Sequence, residues 1–334
     1  MSHRLKVAIG VVISALGVWL SMRDVRPAEV WQALRQANYF GFVAAALLTL
    51  LAFLVRAIRW RPLLSTPRPV GYDRLFSATM IGFMANNMLP LRLGEFVRAW
   101  ALARSEKLSK TTVLATVVVE RVVDMLTLLS ILGIALLVHP IEHGSRAWEL
   151  TRKGAVALVT LSMGLTVFVV VLERKPELMR ALIARIAAYL PERVGAGGVK
   201  ALERFVEGLG LFRDLPRLLW VFLLSFVMFA IVVAGLQVSM WSLGINLPWY
   251  AGLTMLVITA IGIMVPAAPG YIGTMNVACV AGLALFGVGK ASAVPFSWFY
   301  WASQWIPVTL VGFFYLRHEG LSLRRLGEAE ERSE

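Results

Sequence analysis

Two seven-residue stretches constrain this chain more than anything else in it. Met88-Leu-Pro-Leu-Arg-Leu-Gly94 and Met264-Val-Pro-Ala-Ala-Pro-Gly270 lie 176 positions apart and share one skeleton: Met, aliphatic, Pro, three residues, Gly. Each interrupts an apolar run with residues that end helices. Pro90, Pro266 and Pro269 have no backbone N–H to donate, and Gly94, Gly270 and the following Gly273 favour turns. Away from water, the freed backbone groups must find partners inside the protein or beside a water-filled cavity. Paired interruptions in corresponding parts of two halves point to the substrate site of a transporter.

The surroundings of both breaks read as membrane. Of the 334 residues, 58% are hydrophobic, and the mean hydropathy is +0.73. Soluble domains hold about 45–50% apolar residues. The expected class is therefore an all-α integral membrane protein. Cys279 is the single cysteine, which excludes an intrachain disulfide. The net charge of +13 does not argue for nucleic acid, because the cations fall between apolar segments, where positive-inside topology accounts for them. Anionic lipid headgroups are the expected acidic partners. No G-x-S-x-G, P-loop, H-E-x-x-H or dinucleotide fingerprint is present, so no catalytic residue and no cofactor is assigned. His139 and His143 flank Glu142, but Pro140 interrupts the helix and no third ligand is evident, so no metal is assigned.

Taken in order, the chain begins with a basic start and an apolar run over 5–22. No small-residue cleavage site follows, and a retained transmembrane helix is expected. A second span covers 39–58 and ends in Arg56, Arg59, Trp60 and Arg61, which read as an interfacial cluster. Arg68 and Arg74 extend that basic bias and place this loop, the N-terminus and the tail over 317–334 in the cytoplasm. The next apolar run, 75–89, falls short of the roughly 20 residues a span needs. It then turns basic through Arg92, Arg98, Arg104, Lys107 and Lys110. A re-entrant hairpin over 75–103, entering from the cytoplasm, keeps those cations inside. A span over 111–138, an external loop over 139–152 and a returning span over 154–172 follow. The polar stretch 173–216 carries two amphipathic periods separated by Gly195–Gly198, either lying on the inner leaflet or packed under the bundle. A span over 218–243, a hairpin over 249–288 from the outside and a last span over 296–316 complete the count. The architecture is thus one polytopic domain over 1–334, with about six spanning helices and two re-entrant hairpins. Repeat one (about 39–138) and repeat two (about 218–316) run in opposite orientation, forming an inverted repeat. Trp31, Tyr39, Trp60, Trp249 and Tyr250 read as interfacial anchors, while Trp298, Tyr300, Trp301 and Trp305 either line a lipid path or simply pack.

The candidate site residues cluster around these breaks. Arg92 lies within the first break, and Glu95 and Arg98 follow at i,i+3 on the returning helix, where they can pair. Guanidinium groups bind phosphate oxygens bidentately, and a half-helix start favours anions. A phosphate headgroup fits there; mutual neutralisation at the inner interface is the plainer reading. Glu120, Arg121 and Asp124 sit within the 111–138 span, with the two carboxylates at i,i+4. Charges at that depth are costly, so they face protein or water. They serve as coupling carboxylates, as countercharge to Arg92 or Arg98, or as a structural ion network. Asn86, Asn87 and Asn276 either contact a headgroup or cap exposed backbone.

At these residues a resemblance enters. R-A-I-R-W, N-N-M-L-P-L-R-L-G-E-F-V-R-A, E-R-V-V-D and V-P-A-A-P-G-Y-I-G, in that order, resemble the lysylphosphatidylglycerol synthase/flippase transmembrane-region family over about residues 5–316. The resemblance implies a region that moves lipids between leaflets, without the aminoacyltransferase domain that follows it in the multidomain member. By position it carries over Arg92, Glu95 and Arg98, then Glu120, Arg121 and Asp124, and the break from Pro266 to Gly273. One position departs: the family's second motif often continues to a glutamate where this chain has Asn276. Any coupling carboxylate then falls to Glu120 or Asp124.

The resulting expectation is a flippase or lipid-linked-intermediate transporter of a bacterial or archaeal cytoplasmic membrane. Its partners are the membrane and a phospholipid or lipid-linked substrate, with homo-oligomerisation left open. A membrane enzyme acting on a lipid phosphate and a non-catalytic scaffold are the competing expectations.

Overall fold

The computed structural model describes residues 3–64, 69–89, 93–138, 214–264 and 269–321, together with 153, 156, 160, 163, 164 and 167. Among them, the regular structure is helical throughout: α1 (His3–Met22), α2 (Pro27–Gln36), α3 (Tyr39–Trp60), α4 (Tyr72–Met88), α5 (Gly94–Ser105), α6 (Lys110–Val138), α7 (Leu215–Ser242), α8 (Trp249–Met264), α9 (Thr274–Ala284) and α10 (Lys290–His318). Short 3-10 turns at Arg61–Leu63 and Pro269–Tyr271 complete them.

Helix length follows the apolar runs. Tyr39–Leu63, Lys110–Val138 and Leu215–Ser242 are 25, 29 and 28 residues long and apolar enough to cross a membrane. At about 1.5 Å rise per residue each exceeds the roughly 30 Å hydrocarbon core. α10 is as long, at 29 residues, but contains Pro295 and Pro307 and buries Ser297, Ser303 and Thr309. α4, α5, α8 and α9 have 17, 12, 16 and 11 residues, each short of a full span. They form two helix–break–helix pairs at the positions expected for the hairpins. α4 begins at Tyr72 and α5 ends at Ser105, slightly outside the expected 75–103. α7 begins at Leu215, so the last two residues of the expected 173–216 linker belong to a helix. The rest of that linker, the loop over 139–152 and the other members of the 154–172 span lie outside the described residues.

Beside an apolar core, large apolar side chains are exposed and several charged and polar ones are buried. Leu47, Leu51, Trp220, Leu223, Ile261, Leu310 and Phe314 point outward, while Arg59, Arg98, Glu120, Asp124, Ser225, Asn276 and Ser297 are buried. Such an arrangement suits lipid as the surrounding solvent and polar contacts as the internal adhesive. The protein is a multi-pass all-α membrane protein.

The described chain forms two compact units, one of residues 1–55, 76–101 and 228–334, the other of 56–75 and 102–227. In the first, α9 packs on α8, α10 and α1, and α10 also packs on α2. Small residues permit close approach here. A Cβ on Gly312 of α10 would meet the Met80 carbonyl of α4 at 2.7 Å. α2 starts with Pro27 at its first turn, where the missing N–H has no helical partner to lose. Glu29 and Arg35 sit at the dipole-matched ends of this helix. Asp24, just before it, accepts a hydrogen bond from Lys290, which holds its carboxyl below the usual carboxylate range. In the second unit, α6 packs on the Arg61–Leu63 turn, and the Trp60 indole N–H donates to Thr116 Oγ1 at 2.9 Å.

Candidate functional site

The first break is organised by Asn86 and two glycines. Its side-chain Oδ1 accepts from the Gly94 N–H at 2.7 Å, so the last turn of α4 caps the first turn of α5. Gly82 lets the two helices close: a Cβ there would stand 2.5 Å from Arg98 Cβ and 2.7 Å from the Gly94 carbonyl. Arg98 is consequently pressed against α4 with its side chain fully buried. Glu95 pairs with it at 3.7 Å, one turn earlier, as the i,i+3 spacing predicts. The adjacent Asn87 turns the other way, and its Nδ2 donates to Thr309 Oγ1 of α10 at 2.9 Å. Pro90 and Arg92 lie outside the described residues.

The second break uses backbone conformation where the first uses charge. Gly270 and Gly273 have φ of 74° and 87°, and Tyr271 between them has 59°. Side-chain-bearing residues adopt this left-handed region only at a cost. Gly273 also faces α1: a Cβ there would stand 2.9 Å from Ser14 Cα. Asn276 Oδ1 accepts from the Gly273 N–H at 3.0 Å, and its Nδ2 donates to Ser297 Oγ at 2.9 Å. The Gly270 carbonyl accepts from the Trp301 indole N–H at 2.7 Å. Trp305 stacks on Trp301 at 5.5 Å and fills the space a side chain on Gly270 would need. Pro266 lies outside the described residues, and Pro269 opens the 3-10 turn.

Both breaks are therefore closed by an asparagine carboxamide that accepts from a glycine N–H. They also meet at α10. The Asn87 carbonyl lies 3.5 Å from the position of a Gly270 Cβ, beside Trp305 and one turn from Thr309. Asn86 and Asn276 each cap a backbone N–H through Oδ1. The aromatic cluster holds the second break through Trp301 and Trp305, while Tyr300 is buried in a stack with Phe296.

In the second unit, Glu120, Arg121 and Asp124 meet partners that the sequence reading put elsewhere. Arg56 approaches Glu120 at 2.8 Å and Asp124 at 3.3 Å. Arg59 approaches Asp124 at 2.5 Å and Glu120 at 3.0 Å, and donates to Ser225 Oγ at 2.6 Å. Arg121 adds contacts of 3.0 Å to Glu120 and 3.4 Å to Asp124. Arg59 and Glu120 are fully buried, whereas the Arg121 side chain is 42% exposed. The expected interfacial cluster at the end of α3 is corrected accordingly: Arg59 and Trp60 point inward and are wholly buried. Buried carboxylates demand countercharge, and the nearest arginines on a packed helix supply it. Only Arg61 of that group keeps a surface role, with its guanidinium 4.5 Å over the Tyr72 ring. Arg56 and Arg59 stand i,i+3 on α3 and Glu120 and Asp124 i,i+4 on α6, so each pair shares a helix face. That matched spacing was the available signal.

Residues 7–312 match the family described as the lysylphosphatidylglycerol synthase TM region. The chain belongs to this family. Relatives include the Haloferax volcanii protein named glycosyltransferase AglD, 29% identical over 41% of this chain and 22% of that protein. A UPF0104 membrane protein of Methanothermobacter thermautotrophicus is 31% identical over 41% of this chain and 42% of its own length. A UPF0104 membrane protein of Pyrococcus horikoshii is 24% identical over 96% of this chain and 98% of its own length. The chain thus spans under half the length of the first two. The synthase TM-region match contains both breaks and all five members of the ion network.

Proposed function

We propose that this protein moves a phosphate-bearing lipid or lipid-linked headgroup between the leaflets of a bacterial or archaeal cytoplasmic membrane. The observation that carries the reading is the meeting of two Asn-capped helix breaks at one segment of α10, with Arg98 buried beside the first. Short half-helices with irregular backbone between them are tolerated at membrane depth only where protein or a cavity receives them. In transporters such elements form the substrate site. In this proposal the α4–α5 hairpin enters from the cytoplasm and the α8–α9 hairpin from outside, in an inverted repeat with both termini cytoplasmic. The first hairpin recognises the headgroup through Arg98 and Glu95, with Arg92 from the break itself. The second acts as the outer gate. Glu120 and Asp124 hold α3 to α6 through Arg56 and Arg59, and Arg121 is the member of that network that reaches outward. No catalytic step is assigned.

Similarity to a protein named a glycosyltransferase favours a lipid-linked saccharide among the candidate cargoes. The test therefore uses purified protein in vesicles carrying either fluorescent phospholipids or a fluorescent polyprenyl-phosphate sugar. Wild type should scramble at least one class, and Arg98→Ala should lose most of that activity. Equal scrambling by both proteins, or none by wild type across the panel, overturns the proposal. A chemically altered lipid recovered by mass spectrometry would replace transport by catalysis.

A further inference from the structure

Away from the two breaks, an apolar groove of about 380 Å³ opens where α1, α2 and α10 converge. Met22 lies at one end, Val30, Trp31 and Leu34 of α2 form one wall, and Trp298 and Trp301 of α10 form the other. Its floor rests on a small core of Val25, Val30 and Val294. Two further observations say what fits it. First, a cation stands against one of its lining residues. The Arg35 guanidinium lies 4.9 Å over the Trp31 ring, exposed, with no carboxylate in ion-pair range among the described residues. The other cations at this end are engaged: Arg23 and Lys290 share Asp24, and Arg26 faces Glu29 at 4.0 Å. Second, Trp301 lines the groove with its ring and holds the Gly270 carbonyl of the second break with its N–H.

We infer that this groove is a binding site for one acyl chain of an anionic phospholipid, with the phosphate on Arg35 and the chain along Trp31, Trp298 and Trp301. The apolar walls match a hydrocarbon chain, and the unneutralised guanidinium against Trp31 matches a single negative charge. Indole and guanidinium placed together are the combination that membrane–water interfaces select. The occupant would touch the indole that clasps the second break. The site deepens the lipid-transport reading, but its occupancy can be measured without transport, so the two can fail separately.

The test uses full-length protein in phosphatidylcholine vesicles doped with phosphatidylglycerol whose acyl chain carries a diazirine. A parallel arm carries the diazirine on phosphatidylcholine. After photolysis, labelled peptides are mapped by mass spectrometry. Label should concentrate on residues 22–34 and 298–302, and phosphatidylglycerol should exceed phosphatidylcholine there. Arg35→Ala should lower the phosphatidylglycerol label about fivefold, the effect of one basic residue near an anionic lipid. Ala302→Trp, which fills the groove from the α10 side, should remove the label at Met22. Leu34→Trp, from the opposite wall, serves the same purpose where Ala302→Trp does not elute as a monodisperse protein. Label spread evenly over outward residues such as Leu47, Leu223 and Leu310, and insensitive to the filling variants, overturns the site. Label that stays in the groove but is equal for both lipids and unaffected by Arg35→Ala overturns the anionic occupant.

Discussion

The two breaks share a sequence skeleton and a capping device, yet they keep their shape by different means. At the first, Asn86 reaches eight residues forward to the Gly94 N–H, and the returning helix is pressed on Gly82 with Arg98 and Glu95 alongside. At the second, Asn276 reaches three residues back to the Gly273 N–H, and the intervening turn runs through left-handed backbone at Gly270, Tyr271 and Gly273. Among the described residues, the indoles of Trp301 and Trp305 hold it. A break shaped by backbone conformation tolerates few side chains but is indifferent to countercharge. One that carries ionised groups remains responsive to an anion. This contrast underlies our proposal that the first break recognises the headgroup and the second acts as the gate.

The sharpest challenge to that contrast is Gly273→Val. A branched side chain in left-handed backbone costs about 1–3 kcal/mol, and overlap with Ser14 of α1 adds to it. We expect little folded protein by fluorescence-detected size-exclusion chromatography. A normal yield would mean that the second break is not held by its backbone. Next come the caps. Asn276→Ala strips the Gly273 N–H of its acceptor and also removes a donor to Ser297 Oγ, whose hydroxyl still donates to the Val294 carbonyl at 2.7 Å, whereas Asn86→Ala strips one N–H. The orphaned N–H costs about 1–3 kcal/mol at either site and the lost bond to Ser297 adds about 1 kcal/mol, so Asn276→Ala should lower the melting temperature more. The reverse order would make the first break the more tightly held of the two. The smallest effect is expected from Trp301→Phe, which keeps an aromatic ring, though a smaller one, and removes the indole donor to the Gly270 carbonyl, at about 1 kcal/mol. A larger loss would show that the clasp, not the glycine backbone, carries the second break.

Much of this was visible in the chain itself. Pro90–Gly94 and Pro266–Gly270 marked the interruptions, the short runs beside them marked the half-helices, and the i,i+3 pairing of Glu95 with Arg98 followed from helical geometry. Contacts between distant segments were not visible. Arg59 and Arg61 both close an apolar run next to Trp60, and nothing local says that one turns inward to Asp124 while the other turns to Tyr72. Basic residues at the end of a hydrophobic helix usually mark the interface, and that rule outweighed the matched faces of α3 and α6. Likewise, Trp301 and Trp305 were recognisable as a cluster. Their hold on Gly270 depends on the register between α10 and the second break, which no single stretch encodes.

The ion network of α3 and α6 has a consequence for how this chain can vary. Breaking an isolated buried pair costs about 3–5 kcal/mol because one charge is stranded, but here Glu120 and Asp124 each meet Arg56, Arg59 and Arg121, so both carboxylates keep countercharge when one arginine is lost. Arg59 and Asp124 are 65 positions apart and touch directly. Loss of one arginine therefore leaves two guanidinium groups for two carboxylates, whereas loss of one carboxylate leaves three guanidinium groups around the other. The network is thus forgiving toward its cations and strict toward its carboxylates, whether or not any lipid ever touches it.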